Sequence, residues 1–279
     1  WLKTRLPRTR NFFQLKSLLK ETGLNTVCES ASCPNIGTCW DAGTLTFMIL
    51  GDSCTRACRF CDVPTGHLNL PDPDEPDKVA LSLSRLGLKF AVITSVDRDD
   101  LPDGGAGHWV KTIAAIRGRC PEIKIEALIP DFQGDRGLIR QVCEARADVL
   151  AHNLETVESL QRQVRPQCRY EWSLRTLRTA AKTSGVIVKS GLMLGLGEKR
   201  EEVIQAMRDL VEAGCQILSI GQYLRPTPAH MVVIEFIHPD RFVEYKEIGE
   251  SMGLSHVEAG PLVRSSYLAD QQARAVGLA

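Results

Sequence analysis

Cys54-Thr55-Arg56-Ala57-Cys58-Arg59-Phe60-Cys61 follows directly on the apolar run 45–50, and what stands at that junction chooses between folds. The run is the first of six short apolar or β-branched segments; the others are 90–94, 123–129, 149–154, 186–194 and 217–223. Between them apolar residues recur at three and four, which predicts helices near 76–86, 108–118, 136–146, 171–183 and 201–213. Val203, Ile204, Met207, Leu210 and Val211 form one such stripe. Repeated strand-helix units imply parallel strands with right-handed crossovers, in an open doubly wound sheet or in a closed or partial barrel. A doubly wound nucleotide-binding sheet would carry G-x-G-x-x-G after its first strand; here cysteines occupy that place. The expectation is therefore an α/β fold, a partial (β/α)6 TIM-type barrel with N- and C-terminal extensions. Its divisions are 1–43, which holds a basic stretch and a helix over about 12–21, then the barrel at 44–237, then a tail at 238–279 with a helix near 240–252. All three belong to one compact domain.

Cys54, Cys58 and Cys61 place three thiols in one tight loop at the carboxyl end of the first strand, where a compact metal centre can be held. A structural zinc site wants four protein ligands, and so does a closed 4Fe-4S centre, so three leave a coordination position for chemistry. The alternative is a zinc knuckle completed by a distant residue such as His67. A second group, Cys28, Cys33 and Cys39, has its own loop, with Pro34 and Gly37 allowing the chain to wrap a bulky centre. Zinc is again the alternative. Six of the ten cysteines thus crowd into residues 28–61, which points to metal ligation rather than to the disulfide frameworks of small secreted domains. Cys120, Cys143, Cys168 and Cys215 read as small buried hydrophobes.

The C-x3-C-x2-C loop resembles the signature of the radical S-adenosylmethionine superfamily. That resemblance implies a 4Fe-4S cluster on Cys54, Cys58 and Cys61, with its fourth iron chelating the amino and carboxylate groups of S-adenosylmethionine. Phe60 would then lie near the adenine, Ser95 and Asp97 near the methionine amine, Asn153 and Glu155 at the ribose, and Arg165 at the methionine carboxylate. At strand ends such residues also satisfy loop backbone, and Gly195-Leu196-Gly197-Glu198 fits either a ligand approach or a plain turn.

The upstream triad, the radical motif and Arg264-Ser265-Ser266-Tyr267 together resemble the lipoyl synthase family, over essentially the full chain. The stretches Leu24-Asn25-Thr26-Val27-Cys28-Glu29, Thr46-Phe47-Met48-Ile49-Leu50-Gly51 and Val96-Asp97-Arg98-Asp99-Asp100-Leu101 agree with it. By this resemblance Cys28, Cys33, Cys39 and Ser266 hold an auxiliary 4Fe-4S cluster that gives up its sulfide. The alternative for the serines is an N-cap on a terminal helix over 267–275. The implied reaction inserts two sulfur atoms at carbons six and eight of an octanoyl group on a lysine of a lipoyl-carrier protein domain, using two S-adenosylmethionine molecules. No side-chain base removes a proton from such carbons, whereas a primary carbon radical abstracts hydrogen. A reducing electron donor is needed, and the octanoyl arm needs an apolar tunnel, expected around Met193.

Methylthiotransferases and biotin synthase also join a radical cluster to a second centre, and a non-catalytic iron-sulfur or zinc module would also use cysteine triads. The upstream triad and the Arg264 element favour lipoyl synthase over the former, and the strand-helix array over the latter. With Lys and Arg balancing Asp and Glu at 34 each, neither nucleic acid nor an acidic membrane is an expected partner. No apolar run approaches the roughly 18 residues of a membrane span. A cytoplasmic protein is the expectation, with an organellar stroma or matrix left open. Lys3, Arg5, Arg8, Arg10, Lys16 and Lys20 make the N-terminal stretch basic, either a solvated face or a surface for steering an acidic carrier.

Overall fold

The computed structural model describes residues 9–41, 44–66 and 68–278. The chain opens with α1 (Arg10–Thr22), capped by the Thr9 side chain and closed by Gly23 at φ 67. A two-residue β1 (Asn25–Thr26) and the short helices α2 (Val27–Ser30) and α3 (Ile36–Asp41) follow. The repeating part then runs β2 (Thr46–Ile49), α4 (Glu75–Leu86), β3 (Phe90–Ser95), α5 (Ala106–Arg119), β4 (Lys124–Leu128), α6 (Arg136–Cys143) and β5 (Val149–Ala151). After β5 come α7 (Gln161–Val164), α8 (Tyr170–Ala180), β6 (Ile187–Leu194), α9 (Arg200–Glu212), β7 (Ile217–Gln222), α10 (Pro239–Ser251), β8 (His256–Gly260) and α11 (Ala269–Ala275).

The strands form one sheet in sequence order, β2 to β8 parallel and β1 antiparallel on the edge of β2. Every strand from β2 to β7 is one of the six expected, and each expected helix is present within a few residues. Helices cover the outer face, so the parallel strands are buried on both sides and read as near-continuous apolar runs; Thr46–Ile49 is buried throughout. Inside, Lys189 on β6 reaches both Glu126 oxygens on β4 at 3.0 Å, with each side chain 1 % exposed. A buried lysine is tolerable only because it is paired in this way.

The flanking segments contribute more than was expected of them. They add β8 as a seventh parallel strand and β1 on the opposite edge, and these edges do not pair with each other, so the barrel is open. Asn35, between α2 and α3, donates through Nδ2 to the Leu262 carbonyl at 2.7 Å, which ties the segment after β1 to the loop after β8. The carboxyl ends of the parallel strands and the open seam thus face one region.

Candidate active site

Leu50 and Gly51, at φ 71 and 101, turn the chain over the carboxyl end of β2 into the cysteine loop. The loop is fastened from several elements. Cys54 N–H donates to the Pro64 carbonyl, Thr55 N–H to Asp97, and Arg59 N–H to Val164; Met231 N–H donates to Arg59. Gln167 Oε1 accepts from Ala57 N–H at 2.8 Å, and His230 Nε2 lies 3.0 Å from the Cys61 carbonyl. At the centre Arg56, 2 % exposed, pairs with Asp97 at 3.3 Å, Asp99 at 2.7 Å and Asp131 at 2.7 Å. Asp131 is held below the ordinary carboxylate value: burial pushes it up, and the hydrogen bond and charge of Arg56 outweigh that.

Backbone N–H groups of Arg56 and Asp97 point at Cys54 Sγ at 3.4 and 3.3 Å. Burial raises Cys54 to about 12, with Asp97 adding to it, and Cys61 to about 11. Cys58 is raised first by a hydrogen bond shared with Cys168 and then by burial. Thiols this basic keep their protons until a cation takes the place of those protons, the behaviour expected of ligands that bind metal with proton release.

The triad opens on a cavity of about 480 Å³, within the roughly 300–1,000 Å³ of small-molecule sites. Phe60, Ser95, Asp97, Asn153, Glu155 and Arg165 all line it. Ser95 ends β3 and accepts from Trp109 Nε1 at 3.2 Å, which leaves its own O–H to give. Asp97 is raised to about 6, burial outweighing Arg56. Asn153 donates to Glu155 Oε1 at 3.0 Å, while its buried Oδ1 has no hydrogen-bond partner; buried polar atoms without partners are uncommon, and this one suits a polar ligand. Arg165 Nη1 is held by Ser173 Oγ at 3.2 Å and by the Asn153 carbonyl. Met48, Leu128, Leu192 and Met193 supply an apolar stretch of the wall.

Cys28 lies in α2, Cys39 in α3 and Cys33 between them. Phe12 of α1 backs this element, its ring 5.1 Å from that of the fully buried Trp40. All three thiols border a small cleft together with Arg264, Ser266 and Tyr267. Burial raises Cys28 and Cys33, and Cys39 to about 12. The Arg264 cation beside Cys33 opposes that rise, and burial lowers Arg264 itself. Cys28, Cys33, Ser265 and Ser266 also line the larger cavity, so two of the three upstream thiols face the space that the radical triad lines, and Cys39 borders the small cleft beside it. Gly221 on β7 makes this possible, because a Cβ there would run into the Val263 carbonyl.

Neither serine caps the terminal helix, contrary to the simpler alternative. α11 starts at Ala269, its N-cap is Leu268 at φ 50, and no side chain closes it. The Gly195 turn is likewise a plain turn: Glu198 binds the Gly195 and Leu196 N–H groups at 2.6 and 2.9 Å, and the close approach at Gly195 is to Gln222 and the Glu235 carbonyl. Sequence reasoning passed over Arg56, Asp99 and Asp131, and gave no role to Cys168, which the structure sets beside Cys58 and Arg56. Of the first three only Asp99 had a signal, the quoted Asp-rich stretch at 96–101. Arg10, Lys16 and Lys20 are exposed on α1; Lys3, Arg5, Arg8 and His67 lie outside the described residues. Among the described residues no helix is long and apolar enough to cross a membrane.

Residues 48–210 match the model of the radical SAM superfamily. The chain is 53 % identical over 274 residues to a lipoyl synthase of Thermus thermophilus, covering 97 % of this chain and 85 % of that one. It is 51 % identical over 271 residues to one of Flavobacterium johnsoniae, at 97 and 94 % coverage. A mitochondrial lipoyl synthase of Nematostella vectensis is 50 % identical over 271 residues, at 97 and 93 %. Among solved structures, Streptococcus suis SuiB bound to S-adenosylmethionine superposes with a TM-score of 0.57 at 11 % identity, over 77 % of this chain and 49 % of that one. Coproporphyrinogen III oxidase from Escherichia coli, a radical SAM enzyme, gives 0.51 at 12 % identity, over 74 and 52 %. At these identities the structures speak for the fold alone.

Proposed function

The chain belongs to the lipoyl synthase family of radical SAM enzymes, which insert sulfur, and from that premise we propose how its residues divide the work. Cys54, Cys58 and Cys61 hold the radical 4Fe-4S cluster and leave one iron for S-adenosylmethionine. Cys28, Cys33, Cys39 and Ser266 hold an auxiliary 4Fe-4S cluster. When bound, the first group supplies one-electron cleavage of the sulfonium and the second supplies sulfide. One observation carries the two-cluster reading: segments more than 200 residues apart in sequence, 28–39 and 264–266, come together on the cavity that the radical triad lines.

The donor sets fit these groups. Thiols suit iron-sulfur centres, and a serine oxygen among soft thiolates is a weaker ligand and so a point of release. Ser266 borders all three upstream cysteines in the cleft, and Ser265 does not, which favours Ser266 as the ligand. Around the cosubstrate, Phe60 flanks the adenine, Asn153 and Glu155 bind ribose hydroxyls, Arg165 faces the methionine carboxylate, and Ser95 and Asp97 face the amine. The unpartnered Asn153 Oδ1 supports this arrangement. Met48, Leu128, Leu192 and Met193 receive the octanoyl chain and keep water from the carbons that lose hydrogen. Its source is an octanoylated lysine on a lipoyl-carrier domain, an external reductant supplies electrons, and the cytoplasm is the working compartment. The 1–43 and 238–279 extensions act with the 44–237 barrel as one domain, since each lends ligands to a shared site.

The test is an anaerobic assay of the reconstituted protein with an octanoyl-lysine peptide, S-adenosylmethionine and reductant, read by mass spectrometry beside Ser266→Ala. The wild type is expected to give 5'-deoxyadenosine and a doubly thiolated peptide, and the variant no doubly thiolated product. Full thiolation by the variant removes Ser266 from the mechanism.

A further inference from the structure

Residues 231–237 belong to neither a helix nor a strand, yet they are pinned along their length. Met231 N–H donates to the Arg59 carbonyl at 3.1 Å and Ile234 N–H to the Gly195 carbonyl at 2.9 Å. Tyr223 Oη donates to the Met231 carbonyl at 2.8 Å, Gln222 Nε2 to the Glu235 carbonyl at 3.1 Å, and Ile237 N–H to Gln222 Oε1 at 2.8 Å. The side chains divide between two faces. Met231 and Val233 pack on the buried Leu196 and Tyr223, as Phe60 and Met193 do, and Ile237 is buried. Val232, Ile234 and Phe236 alternate with these and are 53, 61 and 58 % exposed. Large apolar side chains held in solvent by a fastened backbone form a fixed patch, and such patches mark surfaces that meet a partner.

The patch stands at the entrance of the cavity. Ser32, Thr65 and Arg225 line that cavity and are exposed, so it opens beside them. Arg225 Nε donates to the His230 carbonyl at 2.8 Å, one residue before the segment begins, and His230 Nε2 lies 3.0 Å from the Cys61 carbonyl. Phe60, Met193 and Tyr223, which the inner face packs with or beside, line the cavity themselves. The segment thus has its inner face on the cavity wall and its outer face in solvent at the rim.

The substrate decides what covers that outer face. An octanoyl group amide-linked to a lysine enters the cavity only as an arm, so the carrier domain must rest on the rim while the arm is inside. We propose that Val232, Ile234 and Phe236 form the docking surface for the folded lipoyl-carrier domain, seating an apolar patch of that domain beside its acylated lysine. This rests on the reading of the cavity as the octanoyl site. A contact made equally before and during the chemical step tightens binding and leaves the limiting rate unchanged. A short peptide bearing the same octanoyl-lysine has no domain to seat and does not use the patch.

The test is single-turnover kinetics of the reconstituted holoprotein, since the auxiliary cluster is spent in the reaction. Two substrates are compared: a folded lipoyl-carrier domain octanoylated on its lysine, and a short octanoyl-lysine peptide. Wild type is set beside Phe236→Ser and the triple variant Val232→Ser/Ile234→Ser/Phe236→Ser, which are neutral changes at exposed positions. For the carrier domain the triple variant is expected to raise the half-saturating concentration about tenfold at an unchanged limiting rate, and Phe236→Ser about threefold. For the peptide both constants should stay within about twofold of wild type. An unmoved half-saturating concentration for the carrier domain overturns the proposal. So does an equal loss with both substrates, which assigns the patch to the site or the fold. Light scattering covers the rival occupant, a second copy of this chain: a wild-type dimer that the triple variant makes monomeric, with carrier binding unmoved, overturns the proposal too. If the wild type thiolates neither substrate, the reading of the cavity falls, and this inference with it.

Discussion

Replacing Arg56 by Met tests whether the cysteine loop is held in place by a buried charge network. The substitution keeps much of the side-chain bulk but removes the cation shared by Asp97, Asp99 and Asp131. The three carboxylates do not lose equally. The Asp97 and Asp99 side chains are 21 and 28 % exposed and regain water, so their share is small. The Asp131 side chain is 0 % exposed and would keep one hydrogen bond, from the Gln133 N–H at 2.9 Å, with the Arg165 charge as its remaining cation. Breaking a buried pair so that one charge is stranded costs roughly 3–5 kcal/mol. For a chain of this size 1 kcal/mol corresponds to roughly 2–4 °C in Tm, so Arg56→Met is expected to melt about 10 °C below the wild type, measured on apoprotein under reducing anaerobic conditions. Asp131→Asn added to Arg56→Met removes the stranded charge and should recover about half of the loss, a coupling of about 2 kcal/mol in the double-mutant cycle. A single variant within about 2 °C of wild type would refute the reasoning, and so would a double variant no more stable than the single.

Gly221→Ala should push the Val263 backbone off β7 and so disturb Arg264 to Ser266 while sparing the radical triad; iron analysis is expected to show about half the wild-type metal with S-adenosylmethionine binding retained. An unchanged iron count in that variant would count against the auxiliary site. Lys189→Met strands Glu126 in the barrel interior and should cost about 3–5 kcal/mol in urea unfolding, with Glu126→Leu added to it recovering most of that. His152, fully buried with Nδ1 at 2.8 Å from the Ile129 carbonyl and Nε2 at 2.9 Å from Ser173 Oγ, is lowered to about 4 by burial and then by the Arg165 charge. Between about pH 6.5 and 4 the unfolded chain accepts a proton there that the folded chain refuses, so this stability is present above pH 6.5 and lost as pH falls, about 3 kcal/mol in all. His152→Gln should therefore show a shallower loss of stability from pH 7 to 4.5 than the wild type, a comparison that cancels the opposite contribution of Asp97; parallel pH profiles would dismiss it.

The strands that could be read from sequence were those with a local signature. β2 to β7 are buried on both faces, so Val, Ile and Leu crowd into short runs between helical stripes, and the pattern survives without any knowledge of contacts. β8 lacked that signature: His256–Gly260 is an edge strand with only Val257 buried, and β1 has two residues. The cysteine triads were equally legible because their spacing is local. Arg56 and Asp131 were not, since a charged residue in a loop looks the same whether solvated or enclosed, and only the fold brings 56, 97, 99 and 131 together. The serine question had the same character. Whether Ser265 caps a helix depends on where α11 begins, and Leu268 at φ 50 is invisible in sequence.

The open seam explains why the upstream triad adjoins the space that the radical triad lines. In a closed barrel the first and last strands would hydrogen-bond along their length and leave no room between them for a second centre. Here β1 and β8 occupy the two edges, and the contact between them is carried by loops, through Asn35 and Leu262. That arrangement sets the Cys28 to Cys39 element and Ser266 against the cavity wall, facing the strand ends that carry Ser95, Asn153 and Glu155. Under the proposed assignment, a carbon that loses hydrogen on the radical side need not leave the cavity to meet sulfur. Restricting the substrate to one enclosed space also limits the lifetime of a substrate radical exposed to solvent. Under that assignment seam and site coincide: the segments beside the two edge strands, 28–39 and 264–266, are those proposed to hold the sulfur source.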